Sequence, residues 1–151
     1  MSDALWRWLH RLAATLWDAR NFVVRPEIAG AAVLVRVADE LLVIRTSYRR
    51  WYSVPGGGIE RGEEPRRAAA RELHEEVGLA VDETALRPLG TFVVEHSHIL
   101  DHVHVYELRL DAKPELRIDR REVVWAGFRP EATLGELALW PPLPIVLAAK
   151  T

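Results

Sequence analysis

Between Pro55 and Leu79 the chain has few ways to fold. Pro55 stops a strand, and the glycines behind it, Gly56, Gly57 and Gly58, favour a turn or a close backbone approach over a continued ladder. A helix follows: Pro65 suits its first turn, and Gly78 suits the position just beyond its last. Ala69, Leu73 and Val77 make its inward stripe, while Glu72, Glu75 and Glu76 fall within one turn on nearly one face. Carboxylates three and four apart repel by roughly 0.2–0.5 kcal/mol per pair. A helix built for stability alone would place a lysine among them. The trio makes sense if a cation neutralises it, and hard oxygen ligands suit Mg²⁺ or Mn²⁺. The bland alternative is a solvated acidic face with Arg71 paired to Glu75, and the glycine loop upstream weighs against it.

Gly57, Glu63, Arg71, Glu72, Leu73, Glu75, Glu76, Gly78 and Leu79 fill the pattern G-x5-E-x7-R-E-U-x-E-E-x-G-U, U being bulky and aliphatic, without insertion. The segment resembles the signature of the Nudix hydrolase family. That resemblance implies an α/β/α sandwich with a mixed β-sheet, the signature forming a loop-helix-loop unit. It implies Glu76 as the main metal ligand, with Glu72 and Glu75 sharing ligation or proton abstraction. The carbonyl of Gly56 would be a further ligand, and Asp119 and Glu122 are candidates for an extra acidic ligand or base before a late strand. The activity implied is Mg²⁺- or Mn²⁺-dependent hydrolysis of the diphosphate bond in a nucleoside diphosphate linked to another moiety. Water would attack phosphorus, with a glutamate as general base. The alternative is a catalytically silent module that keeps the fold and binds nucleotide or regulates. An isomerase branch of the same fold wants a reactive cysteine, and this chain has none.

Side chains around the signature add substrate-binding candidates. Arg45, Arg49 and Arg50 surround an entrance strand, and guanidinium suits phosphate oxygens. Trp51 and Tyr52 offer faces for stacking a base, although strand alternation turns one of the two toward the core. Gly57 and Gly58 lack a Cβ and let a phosphate come close. Glu63 and Arg71 are read as supports that tie the loop to the helix. Downstream, Glu95, His96, His98, Asp101, His102 and His104 form a polar cluster. Its alternating histidines invite a zinc reading, but ordinary polar-face residues fit better, with one of them lining the substrate pocket.

The 151 residues suit one domain, and a hydrophobic share of 49% with 28% charged residues is an ordinary globular balance. A formal net charge of −2 gives no electrostatic case for nucleic acid as a stable partner, and a small nucleotide held through a metal needs none. The absence of cysteine excludes a disulfide framework and fits the cytoplasm. Residues 1–24, with Trp6, Trp8 and Trp17 and with Leu5, Leu9, Leu12 and Leu16 at helical spacing, read as an amphipathic helix before a domain over 25–151. The favoured role of that helix is packing, on the domain or as a homodimer contact; peripheral membrane contact is the alternative.

Strands are expected over Ile28–Val37, Leu41–Arg45 and Trp51–Val54, then Leu89–Ser97 and His102–Leu110 around a loop at Ile99–Asp101, and Val123–Phe128. Short helices are expected near Leu134–Leu139 and from Ile145.

Overall fold

A computed structural model describes Trp8, Leu9, Ala13, Leu16 and residues 27–96, 99–118 and 120–148. The apolar run after Pro26 forms β1 (Glu27–Val37), and a two-residue turn at Ala38 and Asp39 returns it as β2 (Glu40–Thr46). The hairpin is paired only at its closed end, Arg36 with Leu41 and Val37 with Glu40, after which the two strands part. The glycines fill part of that gap: Gly56–Gly58 is itself a strand, β3, antiparallel to Gly30–Ala32 of β1. The expected strand at Trp51–Val54 is thereby corrected. Tyr52 and Ser53 make single bridges only, and the ladder begins where the chain has lost its side chains. A Cβ on Gly56 would stand 2.3 Å from the Ala31 carbonyl oxygen, so this close pairing needs glycine.

Next come α1 (Pro65–Val77), β4 (Arg87–His96), β5 (Ile99–Arg109), β6 (Val123–Pro130) and α2 (Pro142–Ala148). Helix α1 has Pro65 in its first turn and closes at Gly78, in the left-handed region at φ 74°, whose N–H reaches the His74 carbonyl. Among the described residues the sheet order is β4-β5-β1-β2-β6, with β3 beside β1. β5 is parallel to β1 and the other pairings are antiparallel, which makes the sheet mixed.

Each face carries its own apolar layer. On one, Ala69, Leu73 and Val77 of α1 pack with Val33, Val35 and Ile44. On the other, Leu134, Leu143 and Val146 from the C-terminal segment cover Leu34, Leu41 and Val43. Helical structure on both faces makes the α/β/α sandwich. At the far end of the second face Arg36 and Glu107, 3% and 1% exposed, form an ion pair at 3.0 Å.

Three boundaries differ from expectation. The loop foreseen at Ile99–Asp101 is strand, because parallel pairing with β1 starts at Glu27 and Leu100; the connection falls at 97–98, outside the described residues. The helix expected near Leu134–Leu139 is a 3-10 turn at Glu131–Glu136. The last helix starts at Pro142 rather than Ile145, since prolines are tolerated in a first turn. Trp8, Leu9, Ala13 and Leu16 are helical and exposed, and the rest of the expected N-terminal helix, Leu5 and Leu12 included, lies outside the described residues.

Candidate active site

The divergence of β1 and β2 leaves a cleft of about 220 Å³. Its lining includes Gly56, Gly57, Gly58 and Glu76, the side chains of Tyr48, Arg49, Trp51 and Trp140, and Asp101 and Val103 of β5. Glu76 is the residue whose position asks most for an explanation. Helical spacing carries it to the edge of the inward stripe, so it is buried at 8% exposure beside Leu73 and Val77. One carboxylate oxygen accepts the Gly56 N–H at 2.8 Å. Burial pushes its pKa well above the usual carboxylate range, and repulsion from Glu72, Glu122 and Glu75 adds to this. The Gly56 N–H pulls the other way.

Glu72 shares the predicament. Burial raises its pKa, Arg71 lowers it, and Glu75 and Glu122 raise it again. Its carboxylate lies against Gly57, where a Cβ would be 2.5 Å away, so the second glycine also makes room for a functional group. Glu75 is 61% exposed at the rim, with an Arg71 nitrogen at 3.4 Å. Glu122, just before β6, is the downstream acid that the fold brings to this cluster. Its charge acts on both Glu72 and Glu76, and its Oε1 accepts the Tyr48 hydroxyl at 2.6 Å. Asp119 lies outside the described residues.

Arg71 fastens the glycine loop to the helix. Its guanidinium donates to both Glu63 oxygens at 3.0 Å, to Glu72 at 2.8 Å and to the Gly58 carbonyl at 2.9 Å. Glu63 also accepts the Glu60 N–H at 3.0 Å. These bonds, those from Arg71 first, hold the Glu63 carboxyl down to about 2.

The substrate-binding candidates divide. Arg49 and Trp51 line the cleft, the guanidinium standing 5.3 Å from the Trp51 ring centre and 5.6 Å from that of Tyr48. Tyr52 does not: it packs in the second apolar layer, edge-on to Trp125 at 5.6 Å between ring centres. Arg45 is exposed and not part of the cleft wall, because Ile44 faces the cleft and the next residue on a strand points away. His102 and His104 likewise take the face of β5 opposite Asp101 and Val103, so among the described residues the pocket-lining member of that polar cluster is Asp101. His104 bonds Thr91 at 3.0 Å instead.

Tyr48 and Trp140 were missed by sequence reasoning. Tyr48 stands beside Arg49 and Trp51, and that adjacency is the signal that could have found it. Trp140 had no such signal, since it reaches the cleft only because the backbone of Tyr52 bonds Ala138 and Trp140, both at 2.7 Å.

The donor chemistry suits a hard divalent cation. Glu76 is buried and Glu72 partly so, both are raised by burial and mutual repulsion, the charge of Glu122 acts on both, and a cation between them would offset what burial costs. Among the described residues no three acidic or imidazole side chains are already gathered into a metal cage.

The NUDIX domain model matches residues 26–146. The chain belongs to the Nudix family. An RNA pyrophosphohydrolase of Rhizobium meliloti is 34% identical over 92 residues, 60% of this chain and 49% of that protein. An uncharacterized Nudix hydrolase of Bacillus subtilis is 30% identical over 70 residues, 46% of this chain and 42% of that protein. This Nudix chain therefore spans less than half the length of either relative. The crystal structure of a MutT NUDIX hydrolase from Burkholderia pseudomallei has the same fold, with a TM-score of 0.67 at 19% identity, covering 83% of this chain and 98% of that one.

Proposed function

We propose that this Nudix chain is a divalent-metal-dependent pyrophosphohydrolase acting on a nucleoside diphosphate linked to another moiety. The observation that carries the reading is Glu76, a buried carboxylate at the wall of a cleft, crowded by Glu72 and Glu122 and bonded to the Gly56 N–H. Glu76 and Glu72 are the residues to hold the ion, with Glu75, Glu122 and the Gly56 carbonyl as further donors. Mg²⁺ or Mn²⁺ there supplies neutralisation of phosphate charge and a more acidic attacking water.

The chain's own residues supply the rest. Glu122, Glu72 and Glu75 are the candidates for taking the proton from water as it attacks phosphorus. Gly57 and Gly58 leave room for phosphate oxygens, Arg49 offers its guanidinium to them, and Trp51 offers a face to a base. Tyr48, Trp51 and Trp140 exclude water from one side of the cleft. The hydrolase names of the relatives support this reading, and the net charge of −2 favours a small substrate over long RNA.

The test is a panel of nucleotide sugars, dinucleoside polyphosphates, ADP-ribose, nucleoside triphosphates and capped or triphosphorylated RNA, assayed with Mg²⁺ and with Mn²⁺. Expected is metal-dependent release of two phosphorylated products from at least one small compound, reduced about a hundredfold or more in Glu76→Gln. Equal, negligible rates for both proteins across the panel would instead favour a silent nucleotide-binding module.

A further inference from the structure

Glu122 lies far along the chain from α1, and something must hold its carboxylate on the cluster. The β2–β6 ladder runs regularly from Glu40 opposite Pro130 to Arg45 opposite Trp125, then slips by a residue so that Thr46 faces Val123. Such irregularities re-aim a strand end. This one sets Ser47 opposite Glu122, and the Ser47 N–H donates to the Glu122 carbonyl at 2.8 Å. The next residue is Tyr48, whose hydroxyl donates to the Glu122 carboxylate at 2.6 Å. Two consecutive residues therefore fix Glu122, one by its backbone and the other by its side chain. The same Tyr48 ring lines the cleft, and Arg49 lies over it at 5.6 Å.

We propose that Tyr48 is a positioning residue of the active site: its hydroxyl aims the Glu122 carboxylate at the ion-binding carboxylates of α1, and that hydroxyl acts on the reaction only through Glu122. This rests on reading Glu72, Glu76 and Glu122 as a divalent-cation site. A short hydrogen bond to one carboxylate oxygen restricts the rotation of an acid side chain, and partners of this kind orient the carboxylates that hold a metal ion. A hydroxyl rather than a cation is suited to the task, since a lysine there would neutralise the very charge the ion needs.

The experiment is a double-mutant cycle on the full chain with Tyr48→Phe, Glu122→Ala and the pair. Mn²⁺ affinity is read by calorimetry, and kcat and KM are read on whichever compound the wild type cleaves. Phenylalanine keeps the ring beneath Arg49 and removes only the hydroxyl, and thermal melts confirm that each variant folds. Expected for Tyr48→Phe is a Mn²⁺ affinity weakened about tenfold and a kcat lowered with KM unchanged. Neither loss deepens when Tyr48→Phe is added to Glu122→Ala. Wild-type Mn²⁺ affinity in Tyr48→Phe, or a further loss in the pair, overturns the proposal. A wild type that binds Mn²⁺ and follows the expected cycle yet cleaves nothing overturns the hydrolase reading and leaves Tyr48 in its place. A wild type that binds no Mn²⁺ removes both.

Discussion

Replacing Glu76 by glutamine tests the central electrostatic argument, because the change should stabilise the metal-free protein while disabling it. Glutamine keeps the size of the side chain and an oxygen to accept the Gly56 N–H at 2.8 Å, and removes only the charge. Burying a carboxylate costs several kcal/mol after relaxation. A hydrogen bond to a charged acceptor returns about 1.5–3 kcal/mol. With repulsion from Glu72 and Glu122 still unanswered, a net cost of about 1–3 kcal/mol remains at neutral pH. For a chain of this length each kcal/mol moves Tm by about 2–4 °C, so Glu76→Gln in EDTA should melt about 2–12 °C above wild type.

The pH dependence has a definite sign. The folded-state pKa is raised, so the native protein holds its proton to higher pH than the unfolded chain does. Stability from this group is present below about pH 4.5 and is lost as pH rises through the folded-state value. The gap between variant and wild type should therefore widen from pH 4.5 toward neutrality. At a Mn²⁺ concentration about a hundredfold above its dissociation constant, wild type should gain about 2.7 kcal/mol, or roughly 5–11 °C, and the variant little. The order of melting temperatures is thus expected to close or invert between EDTA and Mn²⁺ in differential scanning calorimetry. A variant less stable than wild type in EDTA, or equal gains with Mn²⁺, would refute the reasoning.

The cleft assignment separates two adjacent aromatics. Trp51→Ala should raise KM about five- to 150-fold, the equivalent of about 1–3 kcal/mol of lost stacking, with Tm nearly unchanged; Tyr52→Ala should lower Tm and leave KM alone, and reversed results would place the wrong ring in the cleft. Arg71→Lys cannot reproduce the fork onto Glu63, so in an NMR titration the Glu63 carboxyl should move from about 2 toward its ordinary value of 4.5. Because that pKa is depressed in the folded state, its stabilisation is present above pH 4.5 and lost as pH falls toward 2; the difference in Tm between wild type and Arg71→Lys should shrink over that interval.

What the sequence carried was local. The spacing from Gly57 to Leu79, Pro65 and Gly78 at the helix ends, and Ala69, Leu73 and Val77 on one stripe all follow from a fixed helical period and from the conformations that proline and glycine allow. The same period put Glu72, Glu75 and Glu76 within one turn. It did not reveal that Glu76 lies inside the core layer while Glu75 stands at the rim, since that depends on where the sheet sits against α1. Strand alternation allowed one of Trp51 and Tyr52 into the cleft and left open which, because the choice is made by Tyr52 pairing with Leu139.

The tertiary structure alone decided how distant residues meet. Tyr48 reaches Glu122 across 74 positions through a one-residue slip between two strands, and Trp140 arrives because the C-terminal tail bonds to Tyr52. Neither event has a local signature, since the energy that fixes a register is spread over a whole face of buried side chains rather than held in the residues that end up touching.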